Sequence, residues 1–123
     1  MNGMKPIATR NSWSQVIAMP EQRAQLSFGR TFTASQFAAL ARGLVPEQME
    51  DKWFIFLEDD HLYFHRSWTG HCIFKVRIFS DQNAYQVAET WVNRDSSQYR
   101  SPGDEFDITL IGKLLDNLLL STS

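Results

Sequence analysis

The sequence has one cysteine, no long apolar run and no excess of basic residues, and each absence excludes a class of protein. A single cysteine cannot form an internal disulfide, which fits a reducing compartment and predicts a cytoplasmic protein. No apolar run approaches the roughly 18 residues of a membrane-spanning helix, and Met1 to Arg10 lack the hydrophobic core of a signal peptide. The net charge of −2 argues against a general nucleic-acid binder.

The sequence motifs of common enzyme and cofactor sites are also missing. It contains no GxGxxG, P-loop, CxxC, GxSxG or HExxH pattern, and we predict no catalytic residue and no cofactor. His61, His65 and the acidic run from Glu58 to Asp60 suggest a metal site. On a strand, however, the two histidines lie about 13 Å apart and cannot share one ion. We therefore predict no metal site and interpret Asp59-Asp60 as a hairpin turn.

What the sequence does contain is enough apolar material for a folded core. Hydrophobic residues make up 43% of the 123 residues and aromatic residues 13%. This composition predicts one folded domain over residues 1–123. Residues 1–24 form a poorly patterned N-terminal segment. The sequence leaves two roles open for this segment, which are packing as an extra layer and contact with a second subunit.

The predicted elements alternate in a way typical of the α+β class. Thr33 or Ser35 caps a helix that ends at Gly43, and Asp104 or Asp107 begins a last helix that reaches about Leu120. Aromatic and β-branched residues predict four strands, with a fifth possible at the sheet edge. Because the links are too short for parallel crossovers, we expect an antiparallel meander of four or five strands with helices packed on one face. The four strands are Lys52 to Leu57, His61 to Ser67, Cys72 to Phe79 and Tyr85 to Asn93, and the edge strand is Gln25 to Phe32.

The predicted turns assign each strand residue to a face of the sheet. Two-residue turns at Asp59-Asp60 and Thr69-Gly70, with a four-residue loop after Phe79, place Trp53 opposite Arg66 and Phe64 opposite Lys75. We expect the last helix to cover the more apolar face. A loop with an odd number of residues would reverse the face assignment of the strand that follows it. That face comprises Phe54, Phe56, Tyr63, His65, Cys72, Phe74, Val76, Ile78, Tyr85, Val87 and Trp91. The other comprises Trp53, Ile55, Leu57, Leu62, Phe64, Arg66, Ile73, Lys75, Arg77, Gln86, Ala88 and Thr90.

The second, mixed face is the predicted ligand site. Its three cations could converge on an anion, and its aromatic rings could stack on a planar group. A planar aromatic surface beside fixed cations suits a nucleotide-like ligand, although an ordinary solvent-facing sheet surface would carry similar residues. The predicted ligand-binding residues are Trp53, Phe64, Arg66, Trp68, Lys75, Arg77 and Gln86.

His65 and Cys72 permit a second interpretation on the other face. In contact, they could form a nucleophile pair. A hydrogen-bonded core histidine beside a buried cysteine explains them as well and is the more common arrangement.

Two stretches of the sequence resemble a known family. Lys52-Trp53-Phe54-Ile55, followed by Leu62 to Gly70, is similar to a KWF…LYFHRSWTG pattern of a small bacterial and phage domain family of unassigned function. Chains with that pattern are associated with ADP-ribosyl hydrolase-type domains. The similarity covers about 20 of the 123 residues. It implies a bacterial or phage cytoplasmic setting and a ligand related to ADP-ribose, and it supplies no catalytic residues.

Three functions remain open on the sequence. The first is non-enzymatic binding of a phosphorylated, nucleotide-like small molecule, as a sensor or a sequestering protein. The second is a protein-interaction inhibitor or toxin-neutralising protein, which exposed aromatics would suit. The third, a nucleotide hydrolase, lacks a visible set of catalytic residues. The sequence allows a homo-oligomer.

Overall fold

The computed structural model describes residues 7–120, an antiparallel sheet with two α-helices. The α+β class and the antiparallel sheet are confirmed. Residues 1–6 of the poorly patterned segment lie outside the described residues. In chain order the elements are a 3₁₀ turn (Arg10–Ser12), β1 (Arg23–Gln25), β2 (Thr31–Thr33), α1 (Ala34–Arg42), β3 (Trp53–Glu58), β4 (His61–Arg66), β5 (Cys72–Asp81), β6 (Ala84–Asn93) and α2 (Asp104–Leu120).

The sheet has six strands, one more than the upper expectation. The order is β1-β6-β5-β4-β3, and β2 also pairs with β6. The predicted edge strand is in fact two three-residue strands, which pair with different parts of the ten-residue β6. Strands this short contain too few residues to display an alternating pattern, so the sequence does not separate them.

The ends of α1 follow the predicted capping chemistry. The Thr33 hydroxyl accepts a hydrogen bond from the Gln36 backbone N–H, and the Gln36 side chain accepts one from the Thr33 N–H. This reciprocal pair satisfies two backbone donors at the helix start. Gly43 ends the helix at φ 68°, a conformation that favours glycine.

The turns decide the register, and two of the three predicted turns are wrong. Asp59-Asp60 is a two-residue turn as expected, with Glu58 opposite His61. The connection from β4 to β5 contains residues 67–71 instead of two residues, and Phe64 pairs with Phe74 rather than with Lys75. The turn after β5 consists of two residues, Gln82 and Asn83, instead of the predicted four. Bulges at Phe64/His65 and Arg77/Ile78 shift the register further.

The one-residue shift exchanges the two faces of β5 relative to β4, because strand side chains alternate with a period of two. Phe74, Val76 and Ile78 therefore join Leu62 and Phe64 in one hydrophobic cluster. The main cluster also contains residues of both helices, which are Leu40, Ile111, Leu114, Leu115 and Leu118.

The expectation that the last helix covers Phe54 and Phe56 is wrong. These two rings belong to a second cluster with Ala8, and Trp13 and Val16 pack against it. The described part of the N-terminal segment is therefore an extra layer on the side opposite the main cluster. Both sides of β3 and β4 are buried for this reason, so their apolar pattern alone does not show which side faces the helices.

Candidate functional site

The predicted ligand-binding residues lie on two sides of the sheet instead of one. Trp53 and Arg66 are directly paired, as predicted, but they lie on the side of the main cluster. Lys75 and Arg77 alternate with the buried Phe74, Val76 and Ile78, so they point to the opposite side. The predicted convergence of all three cations on one anion is therefore wrong, because the register shift separates Arg66 from the other two.

Three further predicted residues have separate environments. Phe64 is fully buried in the main cluster, and its ring cannot reach a ligand. Trp68 lies in the loop after β4 with 65% of its surface exposed, and its indole N–H donates to the Met49 carbonyl. Gln86 lies near the β5–β6 turn, where its amide donates to Asp81 at 3.5 Å.

On the side opposite the main cluster, Lys75 lies in register between two aromatic residues. Tyr63 of β4 is its partner on one side and Trp91 of β6 on the other. We call Tyr63, Lys75 and Trp91 the Lys75 row. The Lys75 Nζ lies 5.7 Å from the centre of the Tyr63 ring, within the range of a cation–π contact. All three side chains are partly exposed.

Two arginines extend the positive charge of the row. The Arg23 guanidinium lies 5.4 Å from the Trp91 ring, and that of Arg10 lies 5.5 Å from the Tyr63 ring. Arg10 also binds Glu58, with a shortest N–O distance of 2.6 Å, and the Arg10 hydrogen bond lowers the pKa of Glu58. Within residues 7–120, neither Lys75 nor Arg23 has an acidic partner. Two positive charges beside the rings are therefore not neutralised by this part of the chain.

The sequence does not reveal this combination, because the predicted turns place Tyr63 and Trp91 on the helix-covered face. Arg10 and Arg23 lie in the poorly patterned segment and its first short strand, where no periodicity identifies a face. The usable signal was the alternation of Lys75 and Arg77 with apolar residues, which correctly places these two cations together on a face away from the core. Arg77 has a carboxylate partner, since its Nε lies 3.2 Å from an Asp60 oxygen.

His65 and Cys72 fit the core interpretation. The buried His65 Nδ1 is 2.8 Å from the Gly70 carbonyl, which can only accept, so Nδ1 carries the proton. Burial lowers the pKa of His65. Burial also raises the pKa of the Cys72 thiol to about 12, so the thiol stays protonated at neutral pH. This pair is not arranged as an activated nucleophile.

Three other features of residues 7–120 bear on function. Over residues 7–120, no three histidine, cysteine or acidic side chains are grouped as metal ligands. None of the helices formed by these residues is both long and apolar enough to cross a membrane. A largely apolar groove of about 650 Å³ lies beside Trp13, Met49 and Trp68.

Comparisons with protein-family models, with curated proteins and with solved structures give no match to this chain. The resemblance to the KWF…LYFHRSWTG family therefore stays a prediction.

Proposed function

We propose that the protein binds a phosphorylated, nucleotide-like small molecule across the Lys75 row, without carrying out chemistry on it. The observation that carries this proposal is the position of Lys75, in register between Tyr63 and Trp91 and without an acidic partner in residues 7–120. A planar base needs an aromatic surface, and a phosphate needs a fixed positive charge.

The dimensions of the row suit such a ligand. Tyr63 and Trp91 are separated by two strand spacings, which amounts to about 10 Å. A base stacked on Trp91 would leave its phosphates near Lys75, and Arg23 beside Trp91 would add a second positive charge. Both cations come from partly or fully exposed positions, so a ligand can reach them without unfolding the core.

A cytoplasmic setting and a ligand related to ADP-ribose are part of the proposal. The unpaired, buried Cys72 is compatible with a reducing compartment. The ADP-ribose class comes from the family resemblance alone, so ADP-ribose is one probe among several in the test.

The test is calorimetric titration with ADP-ribose, ADP, AMP and adenosine. Lys75→Ala should weaken phosphate-bearing ligands about tenfold or more, the loss expected for a charge-assisted hydrogen bond of roughly 1.5–3 kcal/mol. It should leave adenosine nearly unaffected, because adenosine has no phosphate. Trp91→Ala should weaken all four ligands by removing a stacking surface.

Matched controls are available on other surfaces of the molecule. Lys113→Ala removes an exposed lysine from α2, and Trp68→Ala removes an exposed indole outside the row. Neither control should change the affinities. If none of the four compounds binds the wild type, or if Lys75→Ala and Lys113→Ala bind alike, the site assignment is wrong.

The alternative function, recognition of a protein partner, rests on the apolar groove. Met49 and Trp68, on its walls, are 74% and 65% exposed. Exposed apolar side chains of this size are typical of interaction surfaces. The contacts of residues 7–120 give no indication of what kind of chain would fill the groove, and nucleotide binding is therefore the better-supported function.

A further inference from the structure

Arg66 lies on the side of the sheet opposite the Lys75 row, at the end of β4. The carbon at the centre of its guanidinium is 4.5 Å from the centre of the Trp53 ring and 6.0 Å from that of Tyr99. Both rings are themselves held in place. Trp53 stacks against the buried Phe74 at 6.0 Å, and the Tyr99 hydroxyl donates to Asp107 at 2.5 Å. The position of the guanidinium is therefore defined by two supported aromatic rings.

The guanidinium of Arg66 has no acceptor for its N–H groups anywhere in residues 7–120. This distinguishes it from Arg10, Arg30, Arg77 and Arg94, each of which binds a carboxylate. A guanidinium has five N–H donors and remains charged at any physiological pH. Arg66 is also partly buried, and burial lowers its pKa. No Arg66 nitrogen is among the buried side-chain atoms that lack a partner, so its N–H groups are open to solvent and to a ligand.

We propose that Arg66 is an oxyanion-binding residue that receives a carboxylate or phosphate group through its N–H edge. The central carbon of the guanidinium lies over the Trp53 ring, and two of its N–H donors can match two oxygens of one oxyanion. Aromatic support also limits the side-chain motion that binding would otherwise have to restrict. This site is independent of the Lys75 row, because it uses different residues on the other side of the sheet.

The test follows the Arg66 Nε–H resonance by NMR during titration with inorganic phosphate, pyrophosphate and succinate, with sodium chloride added to equalise ionic strength. A saturable shift of this resonance is the expected result. A response to the phosphates alone identifies a phosphate-bearing ligand, a response to succinate alone identifies a carboxylate, and a response to both indicates recognition of oxyanions in general.

Arg66→Lys keeps the positive charge but removes the planar donor pair, so it should weaken the binding detected at neighbouring backbone amides by about tenfold. Its thermal unfolding, measured alongside, shows whether the fold is retained. The matched control is Arg100→Lys, because Arg100 is exposed and forms no ion pair within the described residues. The proposal is overturned if the Arg66 resonance responds no more than that of Arg100, or if a folded Arg66→Lys variant binds as tightly as the wild type.

Failure of this test would not affect the proposed nucleotide site. Lys75→Ala should leave the Arg66 response unchanged, and Arg66→Lys should leave the nucleotide affinity of the Lys75 row unchanged. If instead both variants abolish the same binding event, the two sites are not independent and this inference is wrong in its present form.

Discussion

At the residue scale, single positions in the loop after β4 determine how the N-terminal layer meets the sheet. Gly70 has φ 83°, a left-handed conformation that favours glycine. Its amide donates to the Arg66 carbonyl, and its carbonyl accepts from Ile17 and from His65 Nδ1. One glycine therefore connects the N-terminal segment, the loop and a core side chain.

We expect Gly70→Ala to lower the free energy of unfolding by about 2–4 kcal/mol. The left-handed conformation costs a side-chain-bearing residue roughly 1–2 kcal/mol, and the crowded site adds packing strain. A Cβ at Gly70 would lie 2.9 Å from backbone atoms of Gln15, which cannot rotate away. Urea denaturation measures the change. The control is Gly112→Ala within α2, where a Cβ meets nothing within 4 Å and should stabilise the helix. Equal effects at the two glycines would contradict the strain argument.

The burial of His65 leads us to expect that the folded protein loses stability in mild acid. Burial lowers its pKa below the ordinary 6.5, and its buried Nε2 has no hydrogen-bond partner among residues 7–120. As the pH falls through 6.5, the unfolded chain takes up a proton that the folded chain resists. The stability linked to neutral His65 is thus complete above that pH and decreases as the pH falls towards the lowered folded-state pKa.

The measurement is the free energy of unfolding at about pH 7.5 and about pH 5.5, for the wild type and for His65→Phe. The other two histidines are present in both proteins, so the comparison isolates His65. The wild type should lose more stability between the two pH values than the variant loses. An identical pH dependence would show that His65 titrates in the folded protein as it does in the unfolded chain.

At the element scale, a buried carboxylate connects α2 to the loop that precedes it. Asp107 accepts hydrogen bonds from Tyr99 at 2.5 Å and Ser101 at 2.8 Å, and Arg94 lies 2.8 Å from one of its oxygens. Asp107 is fully buried, although its neighbours Asp104 and Glu105 are exposed. The start of α2 is therefore held by one specific polar network in addition to its apolar face.

Asp107→Ala should destabilise the protein by about 3–5 kcal/mol, because it leaves Arg94 and the Tyr99 hydroxyl without their buried partner. Asp104→Ala is the matched control, since Asp104 also contacts Arg94 but is exposed. An exposed ion pair contributes no more than about 1 kcal/mol. Chemical denaturation of both variants gives the comparison, and a control as destabilised as Asp107→Ala would contradict the importance of burial.

At the scale of the whole molecule, the sheet separates two hydrophobic clusters. Leu115 belongs to the main cluster with the helices, whereas Phe54 belongs to the second cluster with the N-terminal layer. Both side chains are fully buried. The proposed ligand sites follow the same division, since Arg66 lies on the side of the first cluster and the Lys75 row on the side of the second.

Substitutions in the two clusters should have additive effects. We expect Leu115→Val and Phe54→Leu to cost about 1 kcal/mol each, the usual loss for a small reduction in core volume. Because an intact sheet lies between them, the double variant should lose the sum of the two within about 0.5 kcal/mol. Equilibrium unfolding of the four proteins forms the cycle. A larger coupling would show that the clusters act as one core.

The sequence by itself determined the elements with strong local signals. Thr33 or Ser35 at the start and Gly43 at the end predict α1 through capping chemistry, and β-branched and aromatic residues predict β3 to β6. The face shared by Lys75 and Arg77 also follows from their alternation with buried residues within one strand. These features depend on contacts between near neighbours in the chain, which a local pattern can represent.

Tertiary structure decided how the elements are joined and therefore which residues meet. Residues 68–71 carry turn signals, but these signals do not give the length of the loop. In the structure the loop is longer than predicted, Phe64 pairs with Phe74 instead of Lys75, and Gly70 is in contact with the N-terminal layer. Because the same layer buries the second side of β3 and β4, their apolar pattern fits either orientation. The separation of Arg66 from Lys75 follows from a one-residue shift in register, and alternation turns that small shift into opposite faces of the sheet.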